Sequence, residues 1–284
     1  MNRRTLIKTL CAALLAGQLP EAVARAAAAA VPRRGDLNDA SLKDYLHKMR
    51  NFDRPHKDDI HLEARLVPVM NSTTGRLRRV EEVVGYGNFH LLGFDEMLKV
   101  GQDNSYVGAF RREETEFLDM LFHRDAADYG FVDVKPLPKL TDAINTKYIE
   151  KVPESGHFLY RGRPVRMYQQ IRRELGDKVI LTSGIRSIVK QFLLFLDKAQ
   201  RNDGNLSLAS RSLAPPGYSF HSVGDFDVGQ VNFGAANFTE QFTSTPVYRD
   251  LLERGYATLR YEKDNRLGVR FEPWHIKLNR HALA

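Results

Sequence analysis

Two short stretches of the chain carry side chains able to do chemistry. One is "PPGYSFHSVGDFDVGQ", Pro215 to Gln230, which puts His221, Asp225 and Asp227 within seven positions; the other is "RFEPWHIK", Arg270 to Lys277, with Glu272 three residues before His275. A catalytic zinc site takes three protein ligands and leaves one position for water, and imidazoles and carboxylates are the ligands at hand where no thiolate is available. His221, Asp227 and His275 make a set of two histidines and one carboxylate. Such an ion brings the pKa of its water towards about 7, and a base must then receive the proton. Glu272 is the base that these residues offer. The carboxylate ligand is Asp227, with Asp225 as its rival. In an extended strand the two point to the same face, so one can bind metal while the other orients His221 or touches substrate.

Composition narrows the alternatives. The single cysteine, Cys11, lies in the N-terminal apolar segment, so the remaining chain offers no disulfide, thiol nucleophile or thiolate ligand. A length of 284 residues suits one catalytic domain with a modest elaboration. Hydrophobic content of 43% and charged content of 27% are ordinary for a folded globular chain. The net charge of +7 is spread out, with short basic clusters only at 76–79 and 161–173. Nucleic acid is therefore not an expected partner, whereas work near anionic envelope polymers is compatible with that charge.

The first residues read "MNRRTLIKTLCAALLAGQLPEAVARAAAAAVPRRG". Arg3 and Arg4 precede an apolar run from Leu10 to Leu19, then small-x-small sites at Ala24-Arg25-Ala26 and Ala28-Ala29-Ala30, the pattern of an export signal over residues 1–30. The run falls short of the ~20 residues that span a bilayer, so no stable membrane span is expected once the signal is removed. Arg-Arg-x-Leu-x-Lys resembles a twin-arginine signal, which exports folded protein to the periplasm or cell envelope.

The elements that must hold the chemical residues follow from periodicity. Residues 31–150 read as a helical and extended elaboration, with a helix at 40–51, an extended stretch over "ARLVPVMNSTTGRLRRVEEVVGYG" and a helix at 112–128. Residues 151–284 read as the catalytic domain. There a helix at 164–175 opens on Pro164 and stops at Gly176, "KVILT" forms a buried strand at 178–182, and "SIVKQFLLFLDKAQRN" an amphipathic helix. Residues 205–284 alternate short apolar runs with glycine turns, which predicts strands of a small sheet. The fold class expected is α+β, a small antiparallel sheet packed against helices. His47, His56, His61, His90, His123, His157 and His281 read as structural, and Trp274 either as a core wedge or as a substrate contact.

"YSFHSVGDFDVG" and "EPWH", with "SGIRSIVKQ" upstream, resemble the zinc D-alanyl-D-alanine carboxypeptidase and dipeptidase family of the VanY and VanX type. Its pattern is S-x-H-x-x-G-x-A-x-D followed by E-x-x-W-H or E-x-W-H, and the similarity covers about residues 178–278. The resemblance implies the hedgehog/D-Ala-D-Ala metallopeptidase-like arrangement and one Zn2+ per chain held by His221, Asp227 and His275. It makes Glu272 the catalytic base, Arg186 the substrate-positioning arginine, and Gln191 and Ser219 polar substrate contacts. The family's aspartate stands seven residues after its histidine, a position held here by Val228, so Asp227 aligns only across a one-residue deletion.

An arginine beside an activated water can grip a terminal carboxylate. That favours exopeptidase action, and the resemblance implies that the terminal residue is a D-amino acid, hence a zinc D,D-carboxypeptidase acting on peptidoglycan stem peptides. An endopeptidase of the same fold, or a non-catalytic zinc or peptidoglycan-binding module, are the other readings. Glu272 speaks against the last, because a binding module needs no base.

Overall fold

A computed structural model describes residues 39–278, so the export signal expected over 1–30, with Cys11, lies outside the described residues, as does His281. The described chain begins with helix α1 (Asp39–Arg50), followed by α2 (Val67–Val84), the single turn α3 (Tyr86–Phe89), α4 (Phe94–Asp103) and α5 (Arg112–His123). A two-stranded hairpin, β1 (Ile149–Lys151) and β2 (Phe158–Tyr160), leads into α6 (Arg163–Leu175). Then come β3 (Val179–Ser183), α7 (Ile188–Gln200), the short α8 (Leu206–Ser210), β4 (Phe226–Gln230), α9 (Pro246–Glu253) and β5 (His275–Ile276). The result is helix-rich with small antiparallel sheets, as the α+β expectation has it. Among the described residues no helix is long and apolar enough to cross a membrane.

Two apolar cores divide the work. The smaller one packs α6 and α9 on the three-stranded sheet, through Ile171, Val179, Leu181, Phe226, Val228, Leu251 and Trp274. The larger one joins the N-terminal helices to α7, whose Ile188, Phe192, Phe195 and Leu196 bury against Met70, Leu77, Val80 and Phe122. Residues before 150 therefore share a core with α7, and Tyr261 and Val269 from nearer the C-terminus join it.

The stretch 64–87 is not extended. Residues Val67–Val84 form α2, with Pro68 in its first turn and Met70, Thr73, Thr74, Leu77 and Val80 buried. Asn71-Ser72 and Gly75 read as turn signals, but the buried positions follow the helical repeat. Thr73 and Thr74 satisfy their hydroxyls by donating to the carbonyls of Val69 and Met70, four residues back, at 2.7 Å each. The helix expected at 112–128 ends at His123 and resumes as a 3-10 turn, Ala126–Tyr129, whose N-cap is Asp125. Among the described residues beyond 205 only β4 and β5 are strands; the rest of the stretch is α8, α9, 3-10 segments and the turns that join them.

Candidate metal centre

The sheet registers the cluster. Its order is β3-β4-β5, antiparallel throughout, so β4 is the central strand and its Asp227 sits opposite His275 of β5 on one side and Ser183 of β3 on the other. The register of β3 slips between Leu181 and Ser183, where the strand leaves the sheet and enters the Gly184–Arg186 loop. His221 comes from the 3-10 turn Phe220–Ser222, one loop before β4. These pieces bring one ligand atom each from His221, Asp227 and His275 within 4.8 Å of one another, and all three residues are buried.

Each imidazole is anchored at the nitrogen remote from the cluster. His221 Nδ1 lies 2.7 Å from the Gly184 carbonyl, to which it donates, leaving Nε2 bare and 3.2 Å from Asp227 Oδ1. His275 Nε2 lies 3.2 Å from Asp225 Oδ2, while its Nδ1 faces Asp227 Oδ1 at 3.5 Å and Glu272 Oε2 at 3.2 Å. His221 Nε2 and Asp227 Oδ1 are buried atoms without a hydrogen-bond partner. Buried polar atoms are normally paired. Two such orphans facing each other, beside an imidazole whose far side is held by a carboxylate, are what a tetrahedral cation needs, so the residues fit zinc.

The electrostatics agree. Burial, reinforced by the Arg186 charge, pushes the His221 pKa down, so this ring is neutral and can donate a lone pair. Asp227 stays ionised: burial opposes its charge, but His221 and Arg186 hold its carboxyl well below the usual range. Burial also opposes charge on His275, yet its hydrogen bonds to Asp225 and Glu272 hold its pKa up, at about 9. Taking up a cation here expels the His275 proton.

Asp225 settles in a role of its own. It does not reach His221; its carboxylate accepts from His275, from Arg260 and from the Leu278 amide, the last at 2.9 Å. Arg260 in turn lies over the Phe220 ring. Burial opposes ionisation of Asp225, but His275 and Arg260 hold its pKa at about 2. Replacing Asp225 by Asn keeps the shape and removes the charge that orients His275. Such outer partners are worth about 10–100-fold in metal affinity, so Asp225→Asn is expected to weaken zinc binding by that factor in a competition titration with a chelating dye, with the melting curve unchanged in shape.

Arg186 donates through Nε to Ser183 Oγ at 2.8 Å and through Nη2 to Asp227 Oδ2 at 2.5 Å. It lines a cleft of about 260 Å³ whose wall also includes Lys190, Asp227, Arg270, Glu272 and Trp274. Glu272 therefore reaches both the cluster and the cleft, and its amide is fixed by the Tyr261 carbonyl at 3.0 Å. Gln191 is elsewhere: its Oε1 accepts from the Gly217 amide and its Nε2 donates to the Arg186 carbonyl, so both ends are spent on backbone. Ser219 is also buried, and its carbonyl receives the Ser222 hydroxyl at 2.7 Å. Neither Gln191 nor Ser219 is on the cleft wall. Trp274 lies both in the small core and on the cleft wall.

Several site residues carry no sequence signal. His90 lines the cleft at 1% exposure, and its ring packs edge-on against His157 and Tyr86, at 4.9 and 4.7 Å between centroids. It arrives there because the Ser187 amide donates to the His90 carbonyl, and the Ser187 hydroxyl to that of Phe89. Arg270 is sandwiched by Phe52 and Trp274. Gly184 is readable in hindsight as the glycine of "SGIR": a Cβ there meets the Phe158 carbonyl oxygen at 2.1 Å. Gly184→Ala must push the hairpin strand β2 away and drag the carbonyl that holds His221. Overpacking of this kind costs about 1–3 kcal/mol, to be seen as a lowered unfolding midpoint in urea together with weaker zinc retention.

Residues 163–279 match the family model described as VanY, D-alanyl-D-alanine carboxypeptidase. No curated protein sequence matches the chain. Among solved structures, VanYB in complex with D-alanine-D-alanine is 25% identical, with 47% of this chain and 80% of that one covered and a TM-score of 0.38. A VanY D,D-pentapeptidase in complex with Zn(II), from a VanB-type resistance cassette, is 25% identical over 47% and 81% of the two chains, with a TM-score of 0.37. The LdcB LD-carboxypeptidase is 20% identical over 45% of this chain, with a TM-score of 0.37, and the chain spans only 62% of its length. Over residues 163–279, which hold every member of the metal cluster and its carboxylate and arginine partners, the chain matches the VanY D-alanyl-D-alanine carboxypeptidase family.

Proposed function

We propose that the chain is a zinc-dependent D,D-carboxypeptidase that hydrolyses the terminal D-Ala-D-Ala amide of peptidoglycan stem peptides outside the cytoplasm. The observation that carries this reading is the buried His221, Asp227 and His275 cluster, with its facing orphan atoms, beside a cleft that also holds Glu272. A zinc ion in this ligand set supplies an acidified water and polarises a carbonyl. Glu272 accepts the proton of the attacking water and returns it to the leaving amine, a role open to it because its carboxylate reaches both the cluster and the cleft. Asp225 and the Gly184 carbonyl keep both imidazoles in the donating tautomer.

Charge on the cleft wall favours a terminal carboxylate. Arg186, Lys190 and Arg270 face it, against Asp227 and Glu272. Lys190 is paired with Glu81 at 2.7 Å and Arg186 with Asp227 and Ser183, so Arg270, whose buried Nε has no partner, is the guanidinium most open to a substrate carboxylate, with Arg186 beside it. That supports removal of a C-terminal residue over internal cleavage. The export signal read in residues 1–30 and the VanY resemblance support a substrate in the cell envelope.

The test is release of free D-alanine from a peptide ending in D-Ala-D-Ala. Release that a chelator abolishes and zinc restores, at one bound zinc per chain, is the expected result. Bound zinc with cleavage only of crosslinked muropeptides would replace the carboxypeptidase by an endopeptidase. Bound zinc with no hydrolysis would leave a binding module.

A further inference from the structure

Arg270, the guanidinium of the cleft wall most open to a carboxylate, is held in part by residues that precede the VanY match. It lies between two rings, its Cζ 4.7 Å from the centroid of Phe52 and 4.8 Å from that of Trp274. Trp274 and Arg270 both belong to the matched region 163–279, whereas Phe52 follows α1, far ahead of it in sequence. Trp274 lines the cleft and Phe52 does not, so Phe52 touches the site only through Arg270.

The segment that carries Phe52 is fixed by Arg211, just after α8, whose side chain is 4% exposed. Arg211 donates through Nε to the Phe52 carbonyl at 3.2 Å and through Nη2 to the Arg54 carbonyl at 3.0 Å. Its Nη1 and Nη2 also grip the Asp59 carboxylate, at 2.6 and 2.9 Å, and Asp59 accepts in addition from the His56 amide and the Asn205 side chain. The carbonyl of the same Arg211 accepts the Arg270 amide at 2.9 Å. One residue thus sets both the backbone that carries Phe52 and the backbone that carries Arg270.

A cation gains most from an aromatic face where water is excluded. Rings on both sides of a guanidinium leave its in-plane N–H fork for bonding, which is the geometry in which a carboxylate accepts two hydrogen bonds. They also restrict a long side chain before it binds, so less rotamer freedom is lost on binding. We infer that Phe52 is a positioning residue for the reaction, holding Arg270 in the orientation that takes the substrate's terminal carboxylate. The segment from Phe52 to Asp59 is then the part of the N-terminal elaboration that completes the site. This rests on the carboxypeptidase reading above and goes beyond it, giving residues outside the VanY match a share in recognising the terminus.

The experiment compares zinc-loaded full chain on diacetyl-L-Lys-D-Ala-D-Ala and on the same peptide ending in a carboxamide, following release of D-alanine and of D-alaninamide. The unaltered chain is expected to prefer the acid. Phe52→Leu keeps apolar bulk and removes the aromatic face, so KM on the acid should rise about tenfold, kcat should change little, and the preference for acid over amide should shrink by the same factor. Phe52→Tyr keeps the ring and should match the unaltered chain, with one zinc per chain in both variants. Unchanged KM and preference in Phe52→Leu would overturn the positioning role, and so would an equal loss in Phe52→Tyr, which would make Phe52 a packing residue; D-alanine release would leave the carboxypeptidase standing in either case. Equal rates on acid and amide in the unaltered chain, or cleavage of neither with zinc bound, would sink the carboxypeptidase reading and the positioning role with it.

Discussion

Replacing Glu272 by glutamine should lower kcat on a D-Ala-D-Ala peptide by about 10²–10⁴-fold, the usual worth of a positioned general base, while bound zinc stays at one per chain. The two readouts separate because of where Glu272 sits. It is next to the cluster, 3.2 Å from His275 Nδ1, but His221, Asp227 and His275 make the ligand set without it. Glutamine matches glutamate in size and keeps a hydrogen-bonding group beside His275, but cannot accept the water's proton. KM should change little, because Arg186 and Arg270, the charges proposed to hold the substrate carboxylate, are untouched. Zinc loss in parallel with activity would recast Glu272 as a ligand, and full activity would remove it from the chemistry.

The second large effect is expected from Asp227. Asp227→Asn should weaken zinc binding by more than the roughly 10–100-fold that removal of an outer partner such as Asp225 costs, and activity should vanish with the metal. Stability of the metal-free chain should fall too. Asp227 is the anion that Arg186 grips and both site imidazoles face, and its side chain is 2% exposed. Breaking a buried charge pair by neutralising one partner costs about 3–5 kcal/mol. Asp227→Asn keeps the shape, so a lowered midpoint of metal-free unfolding would report the charge alone. Zinc bound at undiminished affinity in Asp227→Asn would transfer the ligand role to Asp225.

That rivalry shows how far the residues could speak for themselves. Both aspartates fall on one face in an extended segment, and spacing alone could not rank them. The register separates them: Asp227 is paired with His275 across β4 and β5, whereas Asp225 lies just before the strand and meets the far side of the same imidazole. Gln191 and Ser219 show the opposite case. Their places in the family pattern imply substrate contacts; in the structure both lie off the cleft wall, the Gln191 side chain bonded to the Gly217 amide and the Arg186 carbonyl, and the Ser219 carbonyl accepting from the Ser222 hydroxyl.

Local chemistry made much of the catalytic half legible. The caps and apolar spacing of α6 and α7, the buried run of β3, and a chain without cysteine outside its first segment determine the helices, the strand and the kind of ligand available. The pairs His221/Asp227 and Glu272/His275 are each close in sequence, so their chemistry is visible before folding. Contacts between residues far apart leave no such trace. His90 and Lys190 reach the cleft only because α2 and α7 share a core and Ser187 ties the turn after α3 to the site. α2 itself was obscured by Asn71-Ser72 and Gly75, whose preference for turn conformations is outweighed once Met70, Leu77 and Val80 are buried together. Residue type and short spacing determined which chemistry is possible here; strand register and the packing of distant helices decided which aspartate faces the cluster, which polar residues brace it, and how far the cleft extends.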